Sequence, residues 1–165
     1  EKFKKLNTYA NDNLLKIDFI FLLSLMIIDE TDNIEYFFYK FNISKKDQKR
    51  LKLIYLFYKG EVKIKYFTEK NLNKIFYFNG KQAVIDIINF KLFTSNKVEK
   101  KIIKLIEIFK DKVIPNMPIG ADILMNRYNI PEGKLLGDKL KMIEEIWVNN
   151  NFEISQKQVE KIVKS

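Results

Sequence analysis

The chain has 165 residues, which allows one ordinary domain or two small ones, and its 47% hydrophobic content is typical of a globular protein. It contains no cysteine and no histidine, which excludes zinc fingers, iron–sulfur sites, Ser-His-Asp triads and Cys-His pairs. The net charge of +9 favours an anionic partner, but lysine supplies nearly all of it, and a general codon bias would raise lysine everywhere.

The spacing of apolar residues predicts helices along the first two thirds of the chain. The apolar run 19–28 is about half as long as a membrane span and predicts a buried core helix. A strand-like alternation at 61–66 has no pairing partner and predicts an extended connection. The remaining segments predict helices at 34–41, from Ser44 to Tyr58, around 72–76, at 83–88 beyond Gly80, and at 102–109 after a start at Asn96 and Glu99.

Pro115 and Pro118 break the chain before its last third. Beyond them the pattern predicts helices at about 122–128 and 134–148, and a last helix that begins at Ser155. The fold class predicted for the whole chain is therefore all-α. The absence of cysteine and of a secretory leader favours a cytoplasmic location, and a start at glutamate rather than methionine suggests part of a longer protein.

The charge is concentrated in the middle of the chain. Net charges are −2 for residues 1–43, +11 for 44–110 and 0 for 111–165. An even codon bias does not produce such a gradient, so it favours a basic surface for a polyanion. Aromatic residues lie between the lysines, as at Lys65-Tyr66 and Lys74-x-Phe76, and could stack on bases. The competing interpretation is that these rings, Phe76 and Tyr55 among them, belong to the core and that the lysines are merely solvated.

Residues 115–152 hold all three prolines and three of the five glycines. Asn129 can end a helix in the left-handed conformation, and Pro131 and Gly133 can turn the chain into the next helix. Gly137, one turn later, would permit close helix packing. The expected structure is a helix-turn-helix hairpin whose free backbone amides could hold a phosphate, although such hairpins more often serve packing.

This stretch resembles the C-terminal signature of bacterial class II tRNA nucleotidyltransferases, the CCA-adding enzymes, and of the related bacterial poly(A) polymerases. The resemblance extends upstream through the order of the helices and covers nearly the whole chain. Asn129 replaces the family's usual glycine and Lys134 its frequent proline, which implies a less rigid turn. The matching residues are Gly120, Asp122, Ile123, Leu124, Pro131, Gly133, Gly137 and Leu140, followed by Glu144, Glu145, Trp147 and Phe152.

The resemblance implies a multi-helix body domain at 1–113 and a small helical tail domain at 114–165. It implies tRNA as the partner, bound by shape and phosphate contacts so that the acceptor end is positioned for nucleotide addition. A separate catalytic head and neck polypeptide is a second expected partner, and a membrane is not. The RNA-binding residues expected are Lys45, Lys46, Lys49 and Arg50 in the body, and Gly133, Lys134, Gly137, Lys139 and Lys141 in the hairpin.

No catalytic or metal residue can be assigned in this sequence. The resemblance implies a head that uses Mg and CTP or ATP and binds the metal through an Asp-x-Asp pair after a Gly-rich turn, and both features are absent here. The nearest acid cluster, Asp29, Glu30 and Asp32, reads as a solvated helix end. We therefore expect a chain without cofactors that is inactive alone and does not reveal whether CCA or A is added. The alternative is a helical protein-interaction module that docks a separately encoded catalytic subunit without touching RNA.

Overall fold

The computed structural model describes residues 6–29, 31 and 33–164, and within these residues every regular element is helical, which confirms the all-α prediction. Glu30 and Asp32 of the acid cluster lie outside the described residues. The helices are α1 (Thr8–Asn13), followed by a 3-10 turn (Leu14–Lys16), α2 (Phe19–Ile27), α3 (Asn33–Phe41), α4 (Lys45–Tyr58), α5 (Glu69–Thr94), α6 (Lys100–Asp111), α7 (Ala121–Tyr128), α8 (Lys134–Asn149) and α9 (Gln156–Lys164).

The chain divides into two compact units, an N-terminal unit (Glu1–Lys112) and a C-terminal unit (Val113–Ser165). In the N-terminal unit, one part of the core is formed by α5 and α6, where Phe76 and Phe109 are fully buried with ring centroids 5.3 Å apart. A second part joins α1 to α4 with the end of α5 through Phe90 and Phe93. Burying a phenylalanine side chain contributes about 1.5–3 kcal/mol, so these rings are a large share of the packing energy.

Helix α1 was not anticipated from the apolar pattern. Its cap is Asn7, whose Oδ1 accepts a hydrogen bond from the Ala10 amide at 2.9 Å. The Asn7 Nδ2 donates to the carbonyl oxygens of Leu92 at 2.7 Å and Ser95 at 2.8 Å. Carbonyls at a helix end lack partners within the helix, so this one side chain satisfies the start of α1 and the end of α5 together.

Helix α5 contains a break at Gly80, where the sequence predicted an interruption between two helices. The backbone there has φ 83° and ψ 176°, whereas the flanking residues are helical. Side-chain-bearing residues rarely adopt this conformation, so glycine is required for backbone reasons. The two halves of α5 therefore run on either side of a fixed bend.

The predictions for segment 61–66 and for the start of α6 differ from the structure in detail. Segment 61–66 forms neither helix nor strand and bends at 61–62 and 65–66, and its Val62 and Ile64 pack against the α5–α6 core. Helix α6 begins later than expected, because Glu99 rather than Asn96 is the cap, and the Glu99 side chain makes no capping hydrogen bond.

The C-terminal unit packs α7, α8 and α9 around a core of its own that includes Leu124, Ile143 and Ile162. Helix α7 ends at Asn129 in the left-handed conformation, with φ 53° and ψ 35°, as the sequence indicated. Trp147, the single tryptophan, is 2% exposed, and its ring lies 5.1 Å from that of Phe152. The fluorescence of Trp147 therefore reports on the folding of this unit.

Candidate nucleic-acid interface

A groove in the N-terminal unit runs between α4 and the middle of α5. We call it the α4–α5 groove; its volume is about 840 Å³. Leu53, Leu56 and Ala83 form its apolar part. Its polar and aromatic lining consists of Lys46, Asp47, Lys49, Arg50 and Lys52 from α4, and Phe78, Asn79 and Gln82 from α5.

The lysines line the groove because α4 is amphipathic and its first turn is capped. Ser44 caps the helix, since its Oγ accepts from the Asp47 amide at 3.2 Å. Lys46, Lys49 and Lys52 follow at intervals of three residues, which keeps them on neighbouring turns of one helix side. Leu51 and Ile54 are buried on the other side. The burial of these two residues therefore turns the lysines outward.

The lysines in and beside the groove differ in whether they already make an ion pair with an acidic side chain. Lys46 and Lys49 are exposed, and neither makes an ion pair with a residue that the structure describes. Lys52 lies 3.4 Å from Glu35, but both side chains are exposed, and such a pair contributes little. Lys45 is exposed next to the groove and does not line it. Two strong positive charges therefore remain for an anionic ligand, with Lys52 as a third.

Arg50 was expected to contact RNA, and the structure gives it a different role. Its guanidinium bonds both carboxylate oxygens of Asp86, one at 2.8 Å, and also pairs with Asp18. The Arg50 side chain is 16% exposed and that of Asp86 only 2%. Because a buried carboxylate is costly without a partner, Arg50 neutralises Asp86 and ties α4 to α5. Arg50 lines the groove, but these two carboxylates already neutralise its charge.

Asp18 and Gln82 complete this network around Arg50. The Gln82 Nε2 donates to Asp86 Oδ1 at 3.0 Å, and Asp18 caps α2 by accepting from the Phe21 amide at 3.1 Å. Partial burial opposes the ionisation of Asp18, but hydrogen bonds from Arg50 and the Phe21 amide outweigh it and lower the pKa of Asp18. Burial likewise opposes the charge of Arg50, yet its two carboxylate partners raise the pKa of the guanidinium.

Lys139 was also expected to contact RNA, and the structure gives it a contact inside the C-terminal unit instead. It is buried in the C-terminal unit, with 8% exposure, and its Nζ donates to the carbonyl oxygen of Ile162 at 2.7 Å. This bond joins α8 to the end of α9, where carbonyls lack helical partners. Lys139 is therefore a structural residue of the C-terminal core.

The other residues expected in the C-terminal unit are on its surface. Lys134 and Lys141 are exposed, as are Gly133 and Gly137. Gly133 precedes α8 at φ 140°, a conformation that favours glycine, and no side chain caps this helix. The expectation that Gly137 permits close packing is wrong, because a Cβ at that position would meet no atom within 4 Å. The structure thus leaves Lys134 and Lys141 exposed on α8, seven residues apart.

Phe78 and Gln82 are groove residues that the sequence did not single out. Phe76, two positions earlier, is fully buried, as the competing interpretation of the aromatic residues held, whereas Phe78 is 47% exposed. The missed signal is helical phase: Phe78 falls four residues after the exposed Lys74 and off the buried series Leu72, Ile75 and Phe76.

Comparison with known proteins adds no assignment, since no protein-family model, curated protein or solved structure matches the chain. Among the residues described, no group of acidic side chains is arranged to hold a metal ion. No helix within the described ranges is both long and apolar enough to cross a membrane.

Proposed function

We propose that this chain binds tRNA and positions its acceptor end for nucleotide addition by a head domain. In this proposal it is the body and tail of a class II tRNA nucleotidyltransferase or poly(A) polymerase. The observation that carries the proposal is the α4–α5 groove, where Lys46 and Lys49 point away from the core without an acidic partner among the described residues.

The physical argument is electrostatic. Phosphate contacts with lysine supply most of the affinity of proteins that read nucleic acids by shape, and A-form RNA is recognised in this way. The groove belongs to segment 44–110, whose net charge is +11. Within the lining, Asp47 is the one carboxylate, and it is engaged with Ser44, whose Oγ donates to it at 2.6 Å. The groove therefore attracts phosphates with little local repulsion.

The resemblance, rather than the groove, supplies the more specific part of the proposal. The sequence pattern at Gly120 to Leu140 resembles that of nucleotidyltransferase tails, with departures at Asn129 and Lys134, and the chain lacks the family's acidic catalytic pair. We accordingly propose a binding role without chemistry in this chain, with Mg and the nucleotide held by a head polypeptide. That head polypeptide would also determine whether CCA or A is added.

The test is binding of tRNA lacking its CCA end, measured by filter binding across a series of salt concentrations. Replacing Lys46, Lys49 and Lys52 together by alanine is expected to weaken binding at least about tenfold at moderate salt. The slope of log K against log salt should also become less negative by about 3, because each lost phosphate contact lowers the size of this slope by about one.

The matched control removes the same charge elsewhere in the N-terminal unit. Lys97, Lys100 and Lys104 are exposed and do not line the groove, so their alanine variant should retain most of the affinity and slope. Equal losses in the two triple variants would mean that net charge alone binds the RNA. A wild-type chain with no salt-dependent binding would contradict the proposal.

A second candidate, docking of a separate protein, is favoured by one observation. Large apolar side chains are strongly exposed around α1 to α3, among them Leu15 at 98%, Phe19 at 70% and Tyr39 at 88%. Exposed apolar side chains that lie together in one patch mark interaction surfaces, and these side chains are candidates for such a patch. The lysine variants separate the two functions, because a docking module without RNA contact has no tRNA affinity for them to change.

A further inference from the structure

We infer that the α4–α5 groove takes an unpaired nucleotide of the bound RNA, with the base stacked on Phe78 and the neighbouring phosphates on Lys46 and Lys49. This inference rests on the proposed function and specifies it: the ligand is RNA with a single-stranded nucleotide beside the groove, rather than a continuous duplex.

The position of Phe78 is the first argument. It lies two residues before the bend at Gly80, lines the groove and is 47% exposed, although its neighbour Phe76 is fully buried. A large apolar side chain left exposed at the edge of a groove keeps apolar surface in water and lacks packing on its open face. A base covering the ring would recover that packing.

The ring is also held in place. Phe78 contacts Tyr77 edge to face, with centroids 5.0 Å apart and an interplanar angle of 86°. The bend at Gly80 lies two residues later, and Gln82 on the far side of the bend is held by its hydrogen bond to Asp86. A preorganised aromatic side chain loses little entropy on stacking, which is why such platforms bind bases well.

The opposite wall supplies the charges that a nucleotide requires. Lys46 and Lys49 on α4 share the groove with Phe78, and Lys74 stands one helical turn before Phe78 on α5. An aromatic face next to a row of cations is the arrangement that binds single-stranded nucleic acid, where rings stack on bases and lysines follow the backbone. A groove of about 840 Å³ lies within the usual range of small-ligand sites, roughly 300–1,000 Å³.

The groove suits a nucleotide better than an apolar peptide. Its lining includes Lys46, Lys49 and Lys52 together with the amides Asn79 and Gln82, whereas grooves for apolar helices are lined mainly by aliphatic side chains. Duplex RNA alone would use the lysines but leave Phe78 uncovered, because paired bases do not present their faces. The combination of ring and cations therefore selects an unpaired nucleotide.

The experiment compares two RNAs that share one hairpin stem, one blunt and one with a short 3′ extension carrying 4-thiouridine. We expect Phe78→Leu, which keeps an apolar side chain without a ring, to weaken binding of the extended RNA about fivefold or more, as loss of a stacked base would. Binding of the blunt RNA should stay within about twofold, because its phosphate contacts are unchanged. Phe78→Tyr should restore binding of the extended RNA.

Photocrosslinking gives an independent readout. The 4-thiouridine should crosslink to Phe78 in the wild-type chain, with the site mapped by mass spectrometry. Tyr39→Leu is the control, since Tyr39 is 88% exposed and does not line the groove. If the extended RNA binds with normal salt dependence but Phe78→Leu and Tyr39→Leu bind it equally well, the stacking site is wrong and the proposed function stands. If the wild-type chain binds neither RNA, both are wrong.

Discussion

Arg50→Met is expected to lower the free energy of unfolding of the N-terminal unit by about 3–5 kcal/mol, the usual effect of leaving a buried charge without its partner. Asp86, with a side chain only 2% exposed, would keep Gln82 as a neutral donor and lose both hydrogen bonds from the guanidinium. The measurement is urea-induced unfolding followed by far-UV circular dichroism, with hydrogen exchange of α4 and α5 as a local readout.

The control for Arg50 is its neighbour Lys49. Lys49→Met removes the same charge from an exposed position and should change stability by no more than about 0.5 kcal/mol. A second variant tests the cause of the loss. Because well-packed apolar residues can replace a buried ion pair at little cost, Arg50→Met combined with Asp86→Leu should recover much of the stability. If the double variant loses as much stability as the two single variants added together, Arg50 is not the partner that Asp86 requires.

Gly80→Ala is expected to destabilise the N-terminal unit by about 1–3 kcal/mol, because only glycine tolerates the backbone conformation at this bend. The reason is conformational and not steric, since a Cβ at position 80 would meet no atom within 4 Å. Chemical denaturation followed by far-UV circular dichroism measures the loss. Asn79→Ala, at an exposed neighbouring position, should be nearly neutral. Equal stability of the two variants would mean that position 80 does not require glycine.

Gly137→Ala is the matched contrast, with the opposite sign. Gly137 is exposed inside α8, has no positive φ, and leaves open space for a Cβ. Alanine is favoured over glycine in a helix interior by about 0.5–1 kcal/mol, so this variant should stabilise the C-terminal unit by that amount. The fluorescence of Trp147 during chemical denaturation measures this gain in stability. A destabilised variant would show that Gly137 has a packing role after all.

The fold was predictable wherever local chemistry decides it. Ser44 forms the cap predicted for α4, Gly80 interrupts the helix where the pattern changed, and Asn129 ends α7 in the left-handed conformation. Each of these depends on residues within one or two turns. Helix α1 was missed because its six residues carry no apolar pattern, with Ala10 as the buried residue, and contacts of Asn7 with the Leu92 and Ser95 carbonyls, more than 80 residues away, are not visible in the sequence.

The candidate site was harder to predict than the fold. Basic residues were chosen by their place in the charged middle segment or in the hairpin, and neither criterion can tell a solvated side chain from one with a distant partner. Arg50 meets Asp86 across 36 residues and Lys139 meets Ile162 across 23, so both were assigned to RNA although the fold uses them. Phe78 was missed for the converse reason: an aromatic residue near a buried series resembles core until the bend at Gly80 and the packing of α4 are known.

Asp18 links two parts of the N-terminal unit through one carboxylate. It accepts the Phe21 amide at the start of α2 and also pairs with Arg50 on α4. Its pKa is lowered in the folded chain, so its contribution is fully present above the ordinary aspartate value of about 3.9 and is lost as the pH falls through the lower, folded value. A single protonation would then release the start of α2 and free one side of the Arg50 guanidinium together. Above that pH range the Asp18 carboxylate is ionised, and its pair with Arg50 holds α2 against α4, the helix that carries Lys46 and Lys49.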